Sequence, residues 1–279
     1  MRSLQQPPKK IDLHVHVFPE KLFQAIFDYF EFFGWKVHHQ LAGEIEQTLI
    51  AHGITGAVAL SYPHKKGVAA PLNRFMADLP NEHPLFIPFA SLFPDDDDFR
   101  AYVMEALDSP RIFGFKFQPL VQRIDINDPR LDYLYDACIE RDFPLTIHIG
   151  SGPISMEFVG FSHFKRLMER YPLLRVCVPH MGLTEYTDFL HMLEDHPNMF
   201  LDTTMINTHT TVFDTTYYGD MEKLKKFADR ICFGSDWPIV PYDYSEAIES
   251  VSRFGFTPEE EERIFHDNAL RFLNLATTF

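Results

Sequence analysis

Eight short runs rich in apolar, β-branched and aromatic residues punctuate the chain, and stretches with helical spacing separate them. The runs are IDLHVHV (11–17), GAVALSY (56–62), LFIPFAS (85–91), IFGFKFQ (112–118), PLTIHIG (144–150), LRVCVPHM (174–181), MFLDTT (199–204) and ICFGSD (231–236). Several are nearly continuous in apolar character, as expected of parallel strands covered on both faces. Helical candidates lie at 20–33, 43–52, 71–79, 95–107, 128–141, 161–171, 184–195, 220–229, 245–253 and 258–275. Such alternation predicts an α/β fold, a (β/α)8 barrel, with a doubly wound open sheet as the competitor. The 279 residues suit one barrel, and no Pro/Gly/Ser-rich linker or fixed-period repeat divides them, so a single domain over 1–279 is expected.

Composition narrows the partners. No apolar stretch approaches the roughly 20 residues that span a bilayer, so no membrane partner is expected. A formal net charge of −15 argues against nucleic acid, whose phosphates need a Lys/Arg surface. MRSLQQPPKK carries no apolar core or small-residue cleavage site, and Cys138, Cys177 and Cys232 fall unpaired inside apolar runs. A cytoplasmic protein with buried free thiols is the expectation.

The first run holds two histidines, His14 and His16, two residues apart. On a regular strand they share one face, with Asp12, while Ile11, Leu13, Val15 and Val17 share the other. With 14 histidines in the chain, chance supplies roughly one such pair, so the spacing alone is weak. Its weight comes from company at the carboxyl ends of the other strand candidates, which in a barrel converge on one mouth. Lys116 and Gln118 close the fourth run, His148 the fifth, His180 the sixth and Asp236 the eighth, while Asp202 lies in the seventh. Four histidines and an aspartate at strand ends are side chains that bind divalent transition metals. Of the remaining histidines, only His209 falls on a candidate active-site loop; the others are read as surface or helix residues.

IDLHVHVFP, followed in order by TIHIG, VPHMG, FGSDWP and a closing NALRFL, resembles the amidohydrolase superfamily, specifically its amidohydrolase-related branch of hydrolases and decarboxylases. The resemblance implies that His14, His16, His148 and Asp236 ligate one divalent metal ion. Zinc is the first expectation, with manganese and iron open. It also implies that Asp236 handles the proton of an activated water and that His180 faces the nucleophile or substrate. In two-metal relatives a carboxylated lysine ends strand 4, so Lys116 has two readings, that bridge or a cationic clamp for a substrate carboxylate; the clamp is favoured. Gln118 is its hydrogen-bonding neighbour, and Arg123 a second candidate for anion binding. Asp12 would contact the site or orient a ligand. Phe18, Trp35, Tyr62, Trp237 and Tyr242 could wall an apolar pocket, Trp237 first among them.

The leading expectation is a metal-dependent hydrolase acting through metal-activated water on an amide, lactone or related carbonyl of a small carboxylate-bearing compound. The alternatives are a metal-dependent non-oxidative decarboxylase of a small organic or aromatic acid and a metal-binding protein without catalysis. The expected partner is that small molecule, with a homodimer left open. Two further segments carry expectations. PDDDDF (94–99) reads as a helix N-terminus rather than a calcium loop, because carboxylates favour that end of the helix dipole. TTMINTHTTVFDTTYYGD (203–220) reads as a mobile active-site loop or a plain surface loop.

Overall fold

The computed structural model describes residues 9–151, 157–210 and 214–275. The strands are β1 (Ile11–His16), β2 (Gly56–Leu60), β3 (Phe86–Ser91), β4 (Gly114–Phe117), β5 (Leu145–Ile147), β6 (Val176–Val178), β7 (Met199–Asp202) and β8 (Ile231–Cys232). All neighbours pair in parallel and follow chain order. An open doubly wound sheet would reverse its strand order part-way; this one instead returns to its start. The backbone N–H of Leu13 donates to Phe233 O (2.9 Å), that of Asp236 to His14 O (2.8 Å) and that of His16 to Trp237 O (2.8 Å), which closes the barrel.

Two apolar layers hold it. Alternate strand residues such as Val15, Ala57, Phe115, Ile147, Val178 and Leu201 face outward onto the helices. Ile11, Leu13, Val58, Leu60, Phe89, Phe200 and Cys232 form a second, inner cluster with Phe272 of the C-terminal helix Asn268–Phe272. The Phe272 ring lies 5.5 Å from that of Phe200 and 6.3 Å from that of Phe89, so this helix plugs one end of the barrel. Gly114 makes room for Phe89: a Cβ there would meet its ring carbons at 2.4–2.8 Å.

β1 departs from the regular strand in a way that matters for the site. Ile11, Asp12, Val15 and His16 pair with Gly56, Ala57, Ala59 and Leu60, so β1 takes one residue more than β2 between Asp12 and Val15. This bulge inverts the alternation. Ile11 and Leu13 therefore face the inner cluster, and His14 and His16 face inward above them, while Asp12, paired with outward Ala57, points away. The single shared face expected for Asp12, His14 and His16 is corrected accordingly.

The helices follow the expected plan, with one insertion. Helix Glu20–Phe32 precedes Ala42–Ala51, and the segment between them returns to the loop after β8. Trp35 Nε1–H donates to Ile239 O (2.9 Å) and the His38 N–H to Pro238 O (3.0 Å), which braces the loop that carries Asp236. The four aspartates of PDDDDF do not cap the next helix, which runs Phe99–Asp108 without a side-chain cap. Asp98 stands at the N-cap position through its backbone alone, and the other three pair elsewhere: Asp95 with Arg130, Asp97 with Lys66, and buried Asp96 accepts from the Gly67 N–H and the Tyr102 hydroxyl.

Thr203, Thr204, Thr208 and Thr215 of the Thr-rich connection are buried, so that segment is packed rather than a free surface loop among the described residues. Residues 211–213 of it, and residues 1–8, on which the expectation of no export leader rests, lie outside the described residues. The three cysteines are buried and free. Among the described residues no helix is long and apolar enough to cross a membrane.

Candidate metal centre and active site

The bulge in β1 and the turn after β8 bring three ligand atoms together. His16 Nε2 lies 2.9 Å from Asp236 Oδ1 and His14 Nε2 lies 3.4 Å from the same oxygen. Ligand atoms of these three buried residues all fall within 4.8 Å of one another. Both imidazoles are held from behind. His14 Nδ1 is 3.1 Å from Asp202 Oδ2, and His16 Nδ1 is 3.3 Å from Leu60 O. A carboxylate and a carbonyl can only accept, so each Nδ1 has an acceptor for its proton, and with a cation among the ligand atoms in place of a proton on Nε2, each Nε2 presents a lone pair to the shared space.

Electrostatics favour the same state. Burial, reinforced by the Lys116 ammonium, pushes His14 well below the ordinary imidazole range, so its ring is neutral. Burial alone would raise Asp236, but positive charge on its His14 and His16 side outweighs that and holds the carboxyl at about 2. Two neutral nitrogen lone pairs turned on an ionised carboxylate repel unless positive charge stands among them. The donor set therefore fits a divalent cation, and it is a buried two-histidine, one-aspartate site for a single such ion.

The strand ends of β4 to β6 form the opposite side of the mouth. Lys116 is fully buried, and its Nζ lies 3.4 Å from His14 Nε2, its one close polar partner among the described residues. Burial lowers its ammonium to about 8 against the pull of Asp236 and Asp202. The His180 ring stands 5.4 Å from that of His14 and 4.7 Å from that of His148. Burial lowers both His180 and His148, and neither ring nitrogen of His180 has a hydrogen-bond partner. Gln118 Oε1 and Thr146 Oγ1 are likewise buried and unpartnered. His180 (φ 56°) and Asp236 (φ 64°) both adopt the left-handed conformation, which costs a non-glycine residue about 1–3 kcal/mol. Strain at these two positions aims their side chains into the mouth.

The sequence model of the family described as Amidohydrolase matches residues 11–275. The chain belongs to the amidohydrolase family. With it comes an enzyme of hydrolase or lyase chemistry on the barrel and cluster described above. A search of curated proteins returns no match. Among solved structures, an uncharacterised TIM-barrel protein from Bordetella bronchiseptica superposes with a TM-score of 0.72 at 20% identity, covering 95% of this chain and 98% of that one. The 5-carboxyvanillate decarboxylase of Sphingomonas paucimobilis gives 0.68 at 13% identity, covering 96% and 99%. The 2,6-dihydroxybenzoate decarboxylase of Rhizobium gives 0.65 at 16%, covering 98% and 99%. Others of similar fold are described as amidohydrolases and as a hydratase. At these identities the likeness carries the fold.

On this amidohydrolase frame the residues singled out in the sequence divide. His14, His16 and Asp236 come together, with Lys116 and His180 beside them. His148 stands against His180 and outside the close group of three. Gln118 closes β4, buried, its backbone N–H bonded to Gln122 Oε1. Trp237 is packed: its indole stacks on His38 at 4.1 Å and donates to Gln40 Oε1 at 2.8 Å. Phe18 and Tyr62 flank His16 instead, with ring centroids at 6.0 and 5.4 Å. Arg123 is exposed, 3.5 Å from Glu157, and exposed His209 pairs with Glu246. Neither reaches the centre, because each lies on a loop that turns outward.

Asp12 acts through backbone. Its carboxylate accepts from the N–H groups of His14 (3.0 Å) and Ser235 (3.1 Å) and from the Tyr244 hydroxyl (2.7 Å), tying the bulge to the turn that carries Asp236. Asp202 was placed in its strand by the sequence but given no role there. An aspartate inside the apolar run MFLDTT was the available signal, since a carboxylate buried that deeply needs partners.

Proposed function

We propose that this amidohydrolase is a metal-dependent non-oxidative decarboxylase of a small organic acid, carried by one domain over residues 1–279. The observation that carries the reading is the place of Lys116. An ammonium buried without a carboxylate partner calls for an anion, and this one stands 3.4 Å from His14 Nε2, at the ligand set itself. A clamp for a remote carboxylate would stand at the rim. A carboxylate held at the centre is the group that reacts.

His14, His16 and Asp236 would hold a divalent ion, with zinc the first candidate and His148, which stands beside His180, a further ligand on this reading. Such an ion supplies Lewis acidity towards the oxygens of the acid. Lys116 and the amide of Gln118 bind and orient the carboxylate. As the carbon–carboxylate bond breaks, its electron pair stays on carbon and carbon dioxide leaves. His180, neutral and with both nitrogens free of protein partners, is placed to relay a proton from solvent to that carbon, taking one up on one ring nitrogen as it gives one from the other. Phe18 and Tyr62 beside His16 give the pocket an aromatic flank, which suits an aromatic or conjugated acid. The decarboxylases of similar fold lend the reading support.

Hydrolysis is the second reading, and Asp236 favours it: a carboxylate held ionised next to the ligand set can accept a proton from water. One experiment separates the two. Zinc- or manganese-loaded protein is incubated with hydroxybenzoates, a lactone and N-acyl amino acids in deuterated, oxygen-18 water. Deuterium on the carbon that lost carbon dioxide supports the lyase. Oxygen-18 in a product carboxylate, without carbon dioxide, overturns it in favour of the hydrolase.

A further inference from the structure

The carboxylate of Asp202 faces two functional groups at once, one through each oxygen. Oδ2 lies 3.1 Å from His14 Nδ1, while Oδ1 accepts from the backbone N–H of His180 at 2.8 Å and of Thr204 at 3.2 Å. The residue is fully buried at the end of β7, and no solvent competes for either oxygen. The space around it is closed. A Cβ on Gly234 would come within 3.2 Å of Asp202 Cγ, 3.0 Å of His14 Cβ and 2.5 Å of Thr204 Oγ1, so the backbone just after β8 packs closely against both residues.

We propose that Asp202 is a positioning residue that sets the tautomer of His14 and the aim of His180 together. Its Oδ2 fixes the proton of His14 on Nδ1, and that leaves the Nε2 lone pair in the space it shares with Asp236 Oδ1 and Lys116 Nζ. Its Oδ1 anchors the first residue of a run in which His180 (φ 56°), Met181 (φ 53°) and Leu183 (φ 55°) all take a positive φ. Without an acceptor at that point, the His180 N–H would be buried and unpaired, and the turn that aims the ring would lose its anchor. One side chain thus holds the ligand side and the acid–base side of the mouth in register. The inference uses the proposed metal site but not the identity of the reaction.

Asp202→Asn separates the two functions. The amide oxygen can still accept from the His180 N–H, but the NH2 then faces His14 Nδ1 and forces the proton onto Nε2, where it blocks a metal. Zinc affinity, measured against a chromophoric chelator, is expected to fall about 10- to 100-fold. The thermal midpoint of the metal-free protein should stay close to that of the wild type. Unchanged zinc affinity in a folded Asn variant would overturn the proposal.

Should the variant fail to fold, the wild type answers alone. Nitrogen-15 shifts of its histidine rings, with His14 assigned from the resonance missing in His14→Gln, are expected to show the Nδ1–H tautomer. An Nε2–H tautomer would overturn the proposal. Neither readout depends on turnover, so a wrong substrate class leaves the outcome legible.

Discussion

The two sides of the barrel mouth are built on opposite rules. On the β1 and β8 side, His14 and His16 have each Nδ1 committed to a fixed acceptor, and the backbone that carries them is tied down by Asp12. On the β4 to β6 side, His180, Gln118 and Thr146 hold buried polar atoms that meet nothing, and Lys116 carries a charge with no carboxylate in direct contact. Unpaired buried polar groups cost stability and survive where function needs them. The contrast assigns a preorganised cradle for a small, hard-to-place cation to one side. On the proposed reading, the other side is a surface whose partners arrive with the substrate.

The strongest test of the first side removes its ligands. A His14→Ala, His16→Ala double variant is expected to lose the divalent metal, about one equivalent per chain in the wild type by elemental analysis, and all activity with it. Retention of a full equivalent would break the contrast at its firmest point. Next in size, Asp236→Asn removes the only carboxylate of the close group and should lower turnover by about 10²- to 10⁴-fold, the usual worth of a positioned proton-handling group. Turnover within twofold of wild type would mean that neither charge nor proton transfer at this residue matters.

Lys116→Met probes the second side, and there the two readouts should move in opposite directions. Loss of the ammonium is expected to raise KM for an acid substrate at least tenfold. The same change relieves a buried charge, so the chelator-treated protein should gain about 1–3 kcal/mol in urea unfolding. A variant that is less stable would show that Lys116 is satisfied in the resting protein and would erase the asymmetry between the two sides.

Much of this layout is legible in the sequence because it depends on short-range periodicity. Eight apolar runs fix the strands, and polar residues at their ends mark the mouth, so His14, His16, Lys116, His180 and Asp236 could be placed before any coordinates. What escaped depends on features that leave no local trace. The extra residue in β1 has no signature in IDLHVHV, yet it decides that Asp12 faces Tyr244 rather than the site. Trp237 follows Asp236 in sequence, but the left-handed turn at Asp236 sends the indole into packing with His38 and Gln40. Arg123 fails for a similar reason: a left-handed residue at φ 55° after the short helix Pro119–Gln122 turns it to the surface. Asp202 could be placed in the seventh run, but its two partners come from β1 and from the turn after β6, and only closure of the barrel brings them together.

The smallest expected effect is also the finest probe of the contrast. Thr146 pairs with Lys116 across β4 and β5, and its hydroxyl is buried with no partner. Thr146→Val keeps the branched shape that suits a strand and deletes the hydroxyl. If the β4 to β6 side is unsatisfied until substrate binds, the substrate-free protein should gain about 1 kcal/mol in unfolding free energy. Zinc affinity should stay the same, because the hydroxyl is not among the ligands. A loss of stability of similar size would mean that the hydroxyl already has a partner, an ordered water bridging Thr146 to Lys116 or His180. Lys116 would then meet an incoming carboxylate only by displacing that water, and part of the binding energy of the acid would go into releasing it.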